Sequence, residues 1–173
     1  MSDEYQPSVY YDTNCIGARK NDKALIELKE LHKLGKISLE QTNATGDELQ
    51  KGYKPGRKES LKYGTSFGPH VSGYSQYSGV PSDKRYNDDL LNILTILWGK
   101  KNHKDYTDNE MSDARNICSV VWYQGDYFIT YEKALLAKSE EIKQKLRIKK
   151  PNVCKPAECL RLIKNHWQGE NNL

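Results

Sequence analysis

The chain has 173 residues, 36% hydrophobic and 29% charged, which is enough for one domain with a buried core. No run approaches the about 18 apolar residues that a bilayer crossing needs. The acidic start Met1-Ser2-Asp3-Glu4 lacks the basic and apolar regions of a secretory signal. A single cytoplasmic domain over residues 1–173, with no membrane partner, is the expectation.

The four cysteines, Cys15, Cys118, Cys154 and Cys159, show no CxxC and no Cys/His zinc spacing, so free and mostly buried thiols are expected. The four histidines have no i,i+4 pair that would suit a metal. The net charge of +4 is partitioned along the chain. Residues 50–86 carry seven Lys/Arg against two acids, and residues 133–173 carry ten against four. Residues 1–49 and 87–132 are net acidic. Acids that converge inside a basic rim would suit a polyanionic substrate, although such blocks also arise as plain solvated faces.

Ser8-Val9-Tyr10-Tyr11 is a β-prone run that ends in the turn-forming Asp12-Thr13-Asn14. Asn21 or Asp22 is predicted to cap a helix bearing Leu25, Leu28, Leu31 and Leu34, which Gly35 stops. Ile37-Ser38-Leu39 reads as a short strand. Thr45 and Glu48 stand at capping-box spacing at the start of a second helix. Residues 51–86 hold six glycines, three prolines and Tyr53, Tyr63, Phe67, Tyr74, Tyr77 and Tyr86 among basic residues. A structureless stretch of that length is unusual inside a compact domain, so it is read as an insertion.

Asn87-Asp88-Asp89 is predicted to cap a helix from Leu90 to Trp98 that is apolar on nearly every side and ends at Gly99. Ser112 is predicted to cap a helix from Asp113 to Tyr123, closed by Gly125. Tyr127 to Thr130 reads as a strand, Glu132 opens a helix to about Lys145, Val153 lies in a short final strand, and Pro156 starts a C-terminal helix. Strands alternating with helices imply a three-layer α/β/α fold around a mostly parallel sheet.

Ligands of such sheets bind beyond the carboxyl ends of the strands. Asp12 and Glu132 follow strands, and Glu48 and Asp113 fall at predicted helix starts, so all four carboxylates are expected at that edge. Gathered anions repel unless cations neutralise them, and hard oxygen donors favour Mg²⁺ or Mn²⁺ over zinc. Glu40 and Asp47 are alternatives to Glu48; Asp126 is a weaker alternative to Glu132, because it lies at the start of its strand. The basic residues Lys51, Lys54, Arg57, Lys58 and Lys62, interleaved with aromatic rings, suit single-stranded nucleic acid. Arg115 suits either a phosphate or an acid.

The segments Tyr10-Tyr11-Asp12-Thr13-Asn14, Asp47-Glu48-Leu49, Asp113-Ala114-Arg115-Asn116-Ile117, Gly125 to Glu132 and Val153 to Glu158 resemble, in order and spacing, the PIN-domain nucleases related to VapC-type toxins. The resemblance covers the chain apart from 51–86. It implies that Asp12, Glu48, Asp113 and Glu132 form a metal-binding quartet, that Thr130 hydrogen-bonds within it, and that Thr13 or Asn14 supports it. One departure is Glu132, where the family more often has Asp. The implied activity is Mg²⁺- or Mn²⁺-dependent hydrolysis of RNA. A homodimer and an inhibitory antitoxin-like protein are further partners that the resemblance brings into view. The alternative reading is a non-catalytic PIN-like module that binds RNA or a protein. A phosphotransferase of haloacid-dehalogenase type needs a second Asp where Asn14 stands.

Overall fold

The computed structural model describes residues 6–15, 21–42, 45, 84–99 and 102–170. Strand β1 (Ser8–Tyr11) alternates its side chains between two apolar layers, as a two-residue repeat requires. Val9 and Tyr11 enter one core, and Tyr10 enters the other. β2 (Ser38–Glu40), β3 (Tyr127–Ile129) and β4 (Asn152–Cys154) complete an all-parallel sheet in the order β2-β1-β3-β4.

Helices α1 (Lys23–Lys33) and α5 (Pro156–Glu170) cover one face, through Leu25, Leu28, Cys159, Leu160 and Ile163. α2 (Lys84–Trp98), α3 (Asp108–Trp122) and α4 (Lys133–Leu146) cover the other, where Tyr86, Leu90, Ile93, Ile117, Val120, Leu135 and Ile142 meet Tyr10 and Phe128. The fold is therefore a three-layer α/β/α sandwich. The chain runs from β1 to β2 with a helix on the first face, then reverses direction to β3 with helices on the second. This change of face is what right-handed crossovers demand when the direction reverses. Among the described residues no helix is long and apolar enough to cross a membrane.

Local signals set most boundaries. Asp22 caps α1, its Oδ1 accepting from the N–H groups of Ala24 at 2.9 Å and Leu25 at 3.1 Å. Gly35, at φ +71°, closes that helix with the paired bonds Gly35 N to His32 O and Lys36 N to Leu31 O. Leu34, expected on the apolar stripe, is 70% exposed. All four cysteines are free and buried.

Three expectations need correction. α2 starts at Lys84, not after Asn87, so residues 84–86 are helix and the proposed insertion loses its C-terminal end. The cause is Tyr86, which is 1% exposed. Its ring packs edge-on against Trp122, and its hydroxyl sits 3.2 Å from Ser119 Oγ; it is a core residue, not a platform for bases. The helix it opens is not buried on nearly every side either, since Leu91 is 42% exposed.

α3 starts at Asp108, five residues before its expected first residue, Asp113. Thr107 and Glu110 form a complete capping box, and Tyr106 and Met111, on either side of the cap, are both buried in the core. That is a hydrophobic staple over a capping box, and it outweighs the weaker cap signal at Ser112. The remaining residues of 51–86, with Lys51, Lys54, Arg57, Lys58 and Lys62, and the helix expected from Thr45 to Leu49 beyond Thr45 itself, lie outside the described residues.

The turn from α3 to β3 is tight. A Cβ added to Gly125 would stand 2.7 Å from Val120 Cγ1 and 2.8 Å from the Tyr10 ring. Gly125→Ala should therefore destabilise the fold by about 1–3 kcal/mol through overpacking, read as a lower urea midpoint with an unchanged slope. Equal midpoints would show that this approach is looser than described.

Candidate functional site

Reversal of chain direction between β1 and β3 makes their carboxyl ends the topological switch point, where α/β sheets place ligands. Asp12 follows β1 at this point and is 1% exposed. Its N–H donates to the carbonyl of Ile129, the last residue of β3, at 3.0 Å. Among the described residues, four donors reach its carboxylate. Thr13 N–H donates to Oδ1 at 2.7 Å, with Thr13 Oγ1 more distant at 3.3 Å. Asn14 Nδ2 and Thr130 Oγ1 donate to Oδ2 at 2.8 and 2.7 Å.

The sequence explains the arrangement. β1 gives way to a 3-10 turn over Thr13–Cys15, which folds Thr13 and Asn14 back onto Asp12, as short polar side chains do in turns. Asn14 also spans to β3. Its Nδ2 lies 3.2 Å from Thr130 Oγ1, and its Oδ1 accepts from Tyr131 N–H at 3.1 Å. Thr130 Oγ1 in turn accepts the N–H of Glu132 at 2.9 Å. Thr13, Asn14 and Thr130 thus surround Asp12 with hydrogen bonds.

The other acids are placed differently. Asp113 sits in the second turn of α3, half-buried, one turn past the N-terminal position expected for it. The helix-start argument for it is lost, but its half of α3 still rises from the carboxyl edge. Glu132 is the N-cap of α4, and its Oε1 accepts from Ala134 N–H at 3.3 Å. Glu48 and Asp47 lie outside the described residues.

Glu40 is a poor substitute for Glu48. It stands in register with Tyr10, two residues short of Asp12, and accepts from Ser38 Oγ at 2.6 Å, back toward the amino end. Its charge acts on Tyr123 instead, whose hydroxyl is pushed up to about 12 by burial first and by Glu40 second. Asp126 belongs to the opposite edge. It accepts from Ser8 N–H and Oγ at 2.9 and 3.0 Å and pairs with Lys150 Nζ. Arg115, one of the residues expected at nucleic acid, is 8% exposed on α3, with its charge felt by the Tyr86 hydroxyl. It faces the core side of the helix and offers little surface to a phosphate.

Among the described residues no three His, Cys, Asp or Glu side chains lie close enough to hold an ion; Asp12, Asp113 and Glu132 do not close a ligand set by themselves. The donors at the switch point are carboxylate, hydroxyl and amide oxygens. In chemical type they fit a hard divalent cation rather than zinc. The residue missed by sequence reading is Asn116, fully buried one turn beyond Asp113. A polar residue inside the apolar repeat of α3 was the available signal.

No protein-family model matches the chain, and no curated protein does. The functional reading therefore rests on the residues themselves.

Thr130→Val removes one donor to Asp12 and the acceptor used by Asn14 and by Glu132. It should lower stability by about 1–3 kcal/mol, because buried polar groups lose their partners, whereas Thr130→Ser should retain most of it. Urea unfolding of the pair reads this directly, and equal midpoints for Val and wild type would contradict the network.

Proposed function

We propose that the protein is a Mg²⁺- or Mn²⁺-dependent ribonuclease of PIN-like type. The observation that carries the reading is Asp12: a carboxylate buried at the switch point of a parallel α/β sheet, held by Thr13, Asn14 and Thr130. Asp113 and Glu132, from α3 and the start of α4, with Glu48, would supply the remaining carboxylates. A bound divalent ion would supply a water of lowered pKa for attack on a phosphodiester and charge to stabilise the departing oxygen.

The chain's own residues do the rest. Thr130 and Asn14 hold the rotamer of Asp12, so little side-chain reordering would be needed when an ion arrives. Burial strengthens its field relative to a solvated acid. Lysines and arginine of residues 51–62 would balance the phosphate charge of a single strand, with neighbouring aromatic rings stacking on bases.

The second reading, a non-catalytic module that binds RNA or a protein, has one observation in its favour. The Glu132 carboxylate is engaged as a helix cap. Both readings are separated by two measurements. Asp12→Asn should lower Mn²⁺-dependent cleavage of single-stranded RNA by at least about a hundredfold, the scale of a lost metal ligand or its supporting shell. Mn²⁺ should also raise the melting temperature of wild type and not of Asp12→Asn. Undiminished cleavage in Asp12→Asn would sink the nuclease, and a wild type indifferent to Mn²⁺ in both assays would favour the binding module.

A further inference from the structure

Asn116 takes no part in the reading above, yet it joins the segments that carry Asp12 and Asp113. It lies three residues beyond Asp113 on α3, hence on the same side of the helix, and is 0% exposed. Its Oδ1 accepts the hydroxyls of both Thr42 and Thr45, the latter at 2.8 Å. The single proton of the Thr45 hydroxyl goes to Asn116 Oδ1, and the carbonyl of Tyr11, the residue before Asp12, lies at 3.4 Å as a weaker, shared acceptor. Thr45 N–H closes the knot by donating to Thr42 Oγ1 at 3.1 Å. One amide oxygen therefore ties α3 to the chain beyond β2, and Thr45 carries the link on to the end of β1.

The other half of the amide is idle. Asn116 Nδ2 is buried without a hydrogen-bond partner. A buried, unpaired donor works against stability, and such groups call for a reason other than stability. The useful part of the side chain is where its acceptor sits. We propose that Asn116 is a positioning residue: through Thr45 and Thr42 it sets the separation between Asp12 and the turn of α3 bearing Asp113. It thereby tunes divalent-cation affinity and turnover, while touching neither ion nor RNA. The inference rests on the nuclease reading.

The test uses the full chain as wild type, Asn116→Ala, Thr45→Val and Thr45→Ser. Three quantities are read: Mn²⁺ affinity by the electron-paramagnetic signal of free Mn²⁺, kcat and KM on a single-stranded RNA, and melting temperature in chelator. Asn116→Ala and Thr45→Val should each weaken Mn²⁺ binding and lower kcat by about 10- to 100-fold, as loss of a group that orients metal ligands does. KM for RNA should stay near the wild-type value, and Thr45→Ser, which keeps the hydroxyl, should recover both affinity and kcat.

A fall in melting temperature with unchanged Mn²⁺ affinity and kcat would mean a purely structural knot and overturn the proposal. Failure of Thr45→Ser to recover either quantity would do the same. Should Asn116→Ala not fold, the Thr45 pair decides the matter. A wild type that neither binds Mn²⁺ nor cuts RNA brings down the nuclease reading and this inference together, whereas an active wild type matched by Thr45→Val brings down the positioning role by itself.

Discussion

A carboxylate taken almost wholly out of water has to be met by donors, and the way Asp12 is met organises the carboxyl edge of the sheet. The bonds from Thr13 and Asn14 come from its own turn, and the bond from Thr130 comes across the seam from β3. Holding Asp12 therefore also holds β1 against β3. At the other end of the same seam Asp126 reaches back to Ser8 and is matched by Lys150. Two acids thus clamp the central strand pair, one at each end. Asp126 pairs with a partly exposed lysine at the amino end, and Asp12 accepts from hydroxyl, amide and backbone donors at the position where this architecture places ligands.

The layers serve that position. Alternation along β1 sends Tyr10 into the core under α2, α3 and α4, and Val9 and Tyr11 into the core under α1 and α5. Both faces of the strand are dry, and its end can present a charge only where the sheet stops. α3 brings Asp113 and Asn116 to the same region because it returns from the carboxyl edge, with its first turn fixed by the box and staple around Thr107. A helix held so firmly at its start makes a dependable arm for an acid one turn further in.

Much of this was legible in the residues. Asp12 after an apolar run, Asp22 as a cap, Gly35 as a stop and Pro156 at a helix start are local signals with local causes, and the parallel α/β class followed from the alternation of strands and helices. The left-handed residue that ends α3 is Gln124, and Gly125 answers to the close approach of Tyr10. Thr107-x-x-Glu110, flanked by Tyr106 and Met111, is an equally local signal and a stronger one than Ser112. The start of α2 was not local. Lys84, Arg85 and Tyr86 look like the tail of a polar, aromatic stretch, and only the pocket between Ser119 and Trp122 makes Tyr86 a core residue. The burial of Arg115 and the knot around Asn116 are tertiary in the same sense. Glu48 lies outside the described residues, and for Asp12, Asp113 and Glu132 the residues alone gave the edge of the sheet. They could not give the rotation of α3 or the cap made by Glu132, which depend on packing.

The seam between β1 and β3 has a further consequence for how the molecule is made. Its bonds join residues 118 positions apart, from Ser8 to Asp126 and from Asp12 to Thr130. During synthesis, which proceeds from the N-terminus, the first strand can meet β2 early, but its other edge stays open until β3 has emerged. Closing so distant a pair carries a large loop-closure entropy before any contact rewards it. Of the two inner strands of the finished sheet, β1 is thus the one that waits longer for its second neighbour, and the switch-point carboxylate is enclosed only when β3 docks.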